Sequence, residues 1–220
     1  MIDGNNKDNP VKITIPGPMT ITDSIADDYY NDPKKMGYDL ALCINNEVKA
    51  LSKAGCQYIQ IDEPVFARKP DETHDYGMEN LERAMHGILK ETQRACHICC
   101  GYPNSLDSEH YKKADLDAYD KIADLVEDSS IDEVSLEDSH RPIDLKLLEK
   151  FKKTKVIMGL IDVAKSRMES VEEVQERIRE VLEHIDEERL IAAPDCGLGF
   201  FDRNQAKQKM QILSKAVKNL

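Results

Sequence analysis

The sequence predicts an α/β fold of the (β/α)8 TIM-barrel type, incomplete in this chain: six βα units, lacking the first two strands. Three observations lead there. Short, nearly all-apolar runs alternate with stretches whose apolar residues recur at helical spacing, the pattern of a parallel sheet covered on both faces. The runs end in residues that carry chemistry, among them Asp62 and Glu63, His97 and Cys99, Glu137, Asp162, and Asp195 with Cys196. In a βα barrel those C-terminal strand ends ring one mouth, where active sites of the fold are found. The competing open, doubly wound sheet would carry a G-x-G-x-x-G turn after its first strand for a nucleotide, and the sequence has none. A closed barrel has eight strands and typically about 250 residues. Only six strands can be found in these 220 residues. The outermost two would be edges whose unpaired backbone groups invite another chain. The expectation is one partial-barrel catalytic domain over residues 1–220 that self-associates or is completed by a partner segment.

Residues 1–10 read as a polar lead-in, and Val11 to Pro18 as a strand stopped by Pro and Gly. A short helix is expected near Asp23 to Tyr30. Asp32 can cap the next helix with Pro33 at its first position; Leu40, Ile44, Val48 and Leu51 form its apolar stripe, and Gly55 can end it. Tyr58 to Pro64 is the second strand. Pro70 to Gly77 reads as a loop, and Leu81, Ala84, Met85, Ile88 and Leu89 mark a helix leading into the strand of His97 and Cys99. Tyr102 to His110 has loop composition, after which Leu116, Tyr119, Ile122, Ala123 and Val126 carry a helix into the strand Glu133 to Asp138. A helix with Leu145, Leu147, Leu148 and Phe151 precedes the strand Lys155 to Asp162. Ser170 and Glu173 form a capping box for a helix whose core face is Val174, Ile178, Val181 and Ile185. The strand Leu190 to Gly197 comes last, and Asp202 caps a closing helix with Met210, Leu213 and Val217 turned inward.

Composition narrows the function. A net charge of −12 with no Lys/Arg cluster argues against a grip on nucleic acid or an anionic membrane. No run approaches a bilayer span, and the first residues lack the basic and apolar regions of a signal peptide, so the expected compartment is the cytoplasm. In that reducing setting the six cysteines read as core residues or metal ligands rather than as a disulfide framework.

In an extended strand His97 and Cys99 emerge on one face, while Cys96, Ile98 and Cys100 point to the other. A His/Cys pair on one face is half a zinc site, and His97, Cys99, Glu137 and Cys196 supply a full set from three strand ends. Thiolate ligands suit an ion that binds a substrate thiol and presents it as a nucleophile. A closed structural zinc, or buried cysteines with no metal, are the alternatives. Glu63 can act with Asp62 at the mouth or cap a loop; Asp195 can orient a ligand or cap the turn before the last helix. His74, His86, His110, His140 and His184 are expected at the surface, and Cys43 and Cys56 in the core.

The segments Gly17 to Ile21 (G-P-M-T-I), Ile59 to Pro64 (I-Q-I-D-E-P), His97 to Cys99 (H-I-C), Leu136-Glu137 and Pro194 to Leu198 (P-D-C-G-L) run in order over nearly the whole chain. In them the chain resembles the C-terminal catalytic barrel of cobalamin-independent methionine synthase and its shorter single-barrel relatives. The resemblance implies a zinc-dependent methyltransferase that moves a methyl group to the thiol of homocysteine, giving methionine. It implies zinc ligation by His97, Cys99, Glu137 and Cys196 and a contact of Asp62 with the amino group of homocysteine. Asp62 and Glu137 are thus the candidate substrate contacts, and the acids Asp62, Glu63 and Asp195 at the strand ends are the candidate catalytic residues. The methyl donor would be a methylated folate or a corrinoid protein. A family Trp associated with the pterin falls at Ser24 in a chain without Trp, and a family His proposed as proton donor falls at Ala164, beside Lys165. Two other functions stay open: a zinc-dependent thiol alkyltransferase with a corrinoid donor or another thiol acceptor, and an inactive zinc-binding fragment that needs a partner chain.

Overall fold

The computed structural model describes residues 10–108, 112–115 and 117–220. Strands β1 (Lys12–Pro16), β2 (Tyr58–Asp62), β3 (Gln93–Ile98), β4 (Glu133–Leu136), β5 (Lys155–Ile161) and β6 (Leu190–Pro194) form one sheet, every pair parallel, in the order of the chain. Sequence neighbours that are always spatial neighbours are what successive right-handed βα units produce in a barrel. Among the described residues β1 and β6 are paired on one side only, so the sheet is an open segment of a barrel. Side-chain alternation splits it in two. Ile59, Ile61, Cys96, Ile98, Val134, Leu136, Val156 and Met158 are buried in the core against the helices. Residues of the other parity, Lys12, Thr14, Gln60, Asp62, His97, Ser135 and Ile157, line the concave interior.

Helix α1 (Pro18–Ser24) begins directly after β1, so the short helix expected near Asp23 to Tyr30 lies earlier, with Pro18 at its first position. Helix α2 (Pro33–Lys53) starts as expected, with the Asp32 carboxylate accepting from the backbone N–H groups of Lys34 and Lys35. Such a cap contributes on the order of 1 kcal/mol. The expected loop from Pro70 to Gly77 is helical instead: α3 (Val65–Arg68) and α4 (Pro70–Glu72) lead through a π-helical turn, Thr73–Gly77, into α5 (Met78–Met85). Buried Thr73 holds that turn, its hydroxyl donating to the carbonyls of Phe66 (3.2 Å) and Lys69 (2.9 Å). Ile88 is buried just past α5, whereas Leu89 is exposed.

Helix α6 (Ala118–Asp128) buries Tyr119, Ile122, Ala123 and Val126; Leu116 and His110 lie outside the described residues. The segment Leu145–Lys150 is a 3-10 helix rather than an α-helix, with Leu147 and Leu148 inward. Helix α7 (Val171–Val181) carries both hydrogen bonds of the Ser170/Glu173 capping box.

The closing helix α8 (Arg203–Lys218) is capped by Asp202, but its inward face is not the expected one. Met210 and Val217 are exposed, and the buried positions are Lys209, Leu213 and Ala216. Lys209 sits at full burial because every Nζ donor is used: it meets both Glu169 oxygens at 3.0 Å and the carbonyls of Asp162 (2.9 Å) and Arg167 (2.8 Å). A buried ion pair persists only when saturated in this way. Cys43, expected in the core, is exposed on α2, and Cys56 is half-buried.

Candidate metal and active site

Strand β3 ends at Ile98, one residue short of the expected Cys99, yet His97 and Cys99 still turn to the same side. There they meet Cys196, two residues beyond the end of β6, and the candidate ligand atoms of the three residues all lie within 4.8 Å of one another. His97 and Cys99 are buried and Cys196 half-buried. The imidazole is held from behind by β4: the parallel register sets Ser135 opposite His97, and its Oγ lies 2.9 Å from Nδ1. Nε2 is buried with no hydrogen-bond partner among the described residues. An imidazole braced at one nitrogen and left without a partner at the other is the arrangement of a metal-ligating histidine.

Charge within the cluster is shared. Contact between the two thiols, then burial, raises Cys99 above its ordinary value; the same contact pulls Cys196 down against burial, helped by His97. Burial opposes a charge on His97, but its contact with Cys196 and the charges of Cys196, Asp62 and Glu137 hold it above the ordinary imidazole value. The three residues thus favour one anionic sulfur beside a ring, a donor set that fits zinc.

Glu137 stands just outside this group, one residue past β4. It is buried, and burial raises its carboxyl against the pull of Lys113 and Arg141. Oε1 lies 3.9 Å from Lys113 Nζ and satisfies no hydrogen bond among the described residues. Its backbone N–H is fixed by the Tyr119 hydroxyl (3.3 Å), which itself donates to the Ile98 carbonyl at 2.8 Å. Tyr119 therefore ties the ends of β3 and β4 together, a role its place on an apolar helix stripe does not announce.

Asp62 ends β2 opposite His97 in the register and is half-buried. Gln60 Nε2 donates to its Oδ1 at 2.7 Å, and Lys12 Nζ donates to Gln60 Oε1 at 2.6 Å. Burial raises the Asp62 carboxyl, with the Gln60 contact and His97 opposing. Asp62, His97, Cys99, Arg68, Tyr102 and Cys196 border a cavity of about 440 Å³. A second space of about 290 Å³, toward the concave interior, shares Asp62, His97 and Cys196. His97 and Cys196 lie in the wall between the two, and Cys99 faces the larger space.

The other two acids sit differently. Glu63 is fully buried; Oε1 accepts from the Met19 N–H (2.9 Å), and Oε2 from the Thr20 N–H (2.9 Å) and hydroxyl (2.6 Å). Asp195 is 1% exposed and accepts three backbone N–H groups, from Asp138, Ser139 and His140, at 2.7 to 2.9 Å. Burial pushes each carboxyl up to about 7, against the pull of those donors. Asp162 lies apart from the cluster, its carboxylate 3.3 Å from His140 Nδ1. His140, expected at the surface, is thereby half-buried at the rim.

The family model of the catalytic domain of cobalamin-independent synthase matches residues 2–219. The chain belongs to that family. The methionine synthase of Thermococcus kodakarensis is 36% identical over 208 residues, and that of Pyrococcus horikoshii 34%. Each match covers 94% of this chain but 56% of the relative, so the chain spans little more than half their length. Among solved structures, a B12-independent methionine synthase from Shewanella sp. W3-18-1, in complex with selenomethionine, superposes with a TM-score of 0.87 at 33% identity, over 97% of this chain and 62% of that one. A Listeria monocytogenes structure at 20% identity shares the fold, with a TM-score of 0.71. The six-stranded sheet of this chain is thus part of a TIM-type barrel. No helix among the described residues is long and apolar enough to cross a membrane.

Proposed function

We propose that this chain is the catalytic portion of a zinc-dependent methyltransferase that methylates homocysteine to methionine. The observation that carries the reading is the meeting of His97, Cys99 and Cys196 at the ends of β3 and β6, with His97 Nε2 buried and unpartnered. His97, Cys99 and Cys196 would hold the ion, with Glu137 as the fourth ligand. Zinc bound there would supply a Lewis acid that lowers the pKa of a substrate thiol.

The remaining work belongs to the protein. Asp62, at the wall of the 440 Å³ cavity, would hold the amino group of the amino-acid substrate, its orientation fixed by Gln60 and Lys12. The cavity matches the usual size range for small-molecule sites. A thiolate held there is aligned for direct displacement at the methyl group of a donor placed over the mouth, where positioning contributes much of the rate. The selenomethionine in the Shewanella relative, a stand-in for the product, supports an amino-acid site in this family. Glu63 and Asp195, with their oxygens committed to backbone donors, would support the mouth rather than exchange protons with substrate.

The donor has two readings. A methylated folate is the family expectation, and a corrinoid protein is favoured by Ser24, whose hydroxyl closes back on the Thr20 carbonyl where the family carries an aromatic ring. A basic nucleic-acid face and a membrane span have no part in either. The test combines metal analysis with assay. The expected result is one zinc per chain, lost in Cys99→Ala and Cys196→Ala, and homocysteine-dependent methyl transfer from one of the two donors supplied separately. Zinc content unchanged in both variants would overturn the ligand assignment.

A further inference from the structure

Asp195 immediately precedes Cys196, and the N–H groups it accepts begin immediately after Glu137, at Asp138, Ser139 and His140. Its carboxylate therefore joins the end of β6 to the end of β4. Strand β5 runs between those two, so the contact must pass over it. Gly159 lies at the crossing. A Cβ at that position would stand 2.2 Å from Asp195 Oδ1 and 2.7 Å from its Cα, closer than atoms can approach. The β5–β6 register slips at the same place, between Gly159 and Ile161, and the Gly159 carbonyl accepts the Ser139 N–H at 3.1 Å. The loop is held from its other side as well. Arg177 of α7 makes a two-pronged contact with the Asp138 carboxylate, both hydrogen bonds at 2.7 Å, and Asp138 Oδ1 accepts the Ile143 N–H.

We propose that Asp195, passing through the gap left by Gly159, is a positioning residue for the metal site: it fixes the distance between Glu137 and Cys196 while ligating nothing itself. The inference rests on the metal reading above. Glu137 and Cys196 come from strands that do not pair with each other, so backbone hydrogen bonding across the sheet sets their spacing only through β5. The carboxylate adds a direct link between them, and it does so with three charge-assisted hydrogen bonds to a group that is 1% exposed. A residue that merely capped the loop would change stability and leave the coordination sphere alone; one that sets ligand spacing changes the sphere.

The experiment uses cobalt(II) as the probe in the full chain, since its visible bands and sulfur charge-transfer band report ligand geometry. Two variants approach the link from opposite sides. Asp195→Asn keeps the shape and removes the anion, while Gly159→Ala keeps the anion and displaces it. Ser170→Ala, which breaks the distant capping box of α7, is the control for lost stability. Asp195→Asn and Gly159→Ala are expected to weaken cobalt binding, measured against a chromophoric chelator, by about 10- to 100-fold and to shift the bands, as loss of groups that orient metal ligands does. Ser170→Ala should leave affinity and bands at the wild-type values. Folded Asp195→Asn or Gly159→Ala protein that binds cobalt within about twofold of wild type, with unchanged bands, overturns the positioning role whatever its melting temperature. Wild-type chain that takes up no cobalt overturns the metal reading, and this inference with it.

Discussion

At the scale of single residues, the site separates acids that face a cavity from acids that face backbone. Asp62 borders open space, whereas Glu63, its neighbour in sequence, is sealed under α1 with its oxygens on Met19 and Thr20. The pair D-E was legible as chemistry but not as a division of labour, because alternation sends consecutive side chains to opposite sides of a strand end. Burial raises the Glu63 carboxyl from an ordinary 4.5 to about 7. Between those values the folded chain keeps a proton that the unfolded chain releases. The stability that this proton contributes is fully present below about pH 4.5 and is lost as pH rises through about 7. The loss amounts to roughly 3 kcal/mol at about 1.4 kcal/mol per pH unit. Urea unfolding of wild type and Glu63→Gln across this window should show the steeper decline in wild type. Parallel pH profiles would mean that Glu63 keeps its charge when buried.

At the scale of elements, short-range signals are legible in the sequence and long-range ones are not. The caps at Asp32, Ser170 and Asp202 are short-range and all form as their sequences suggest. The inward face of α8 departs from its apolar pattern because Lys209 reads as polar, and its saturating partner Glu169 lies 40 residues away. The helical path from Val65 to Met85 is hidden in the sequence because Pro70 and Gly77 read as breaks, while the hydroxyl of buried Thr73 holds the turn between them. Ser135 could have been found: it is a polar residue in an apolar strand, at the register position facing His97. Helix α1 gives the sharpest test at this scale. Its first N–H groups are satisfied by Glu63 rather than by a local cap, and a Cβ at Gly17 would lie 2.1 Å from the Glu63 carboxyl carbon. Gly17→Ala should therefore cost about 2 to 4 kcal/mol by displacing that carboxylate from buried donors. The cost should shrink when Glu63 is already Ala, so the two substitutions couple in a double-mutant cycle of thermal unfolding. Additive effects would show that the helix end does not depend on Glu63.

At the scale of the whole molecule, the number and parallel direction of the strands and the clustering of His97, Cys99 and Cys196 were all readable, since they follow from apolar runs and from the side on which barrel strands end. What closes the open sheet was not readable, because strand pairing at an edge depends on a neighbour outside the pattern. Both edges of the described sheet carry the marks of unfinished pairing. Lys12, Thr14 and Pro16 of β1 are exposed toward the concave side, and all five residues of β6 are only half-buried. Ile13 and Ile15 of β1 are half-buried too, where the matching residues of β2, Ile59 and Ile61, are fully covered. Edges of this length with apolar side chains favour pairing with another chain over exposure to water. The isolated chain should therefore sediment as a concentration-dependent mixture, its weight-average mass rising above 25.0 kDa as protein is added. An Ile13→Lys substitution at β1 places a charge on the half-buried face of one edge and should push that equilibrium back toward the monomer. Sedimentation at 25.0 kDa over the whole range, unchanged by Ile13→Lys, would show that neither edge recruits a second copy.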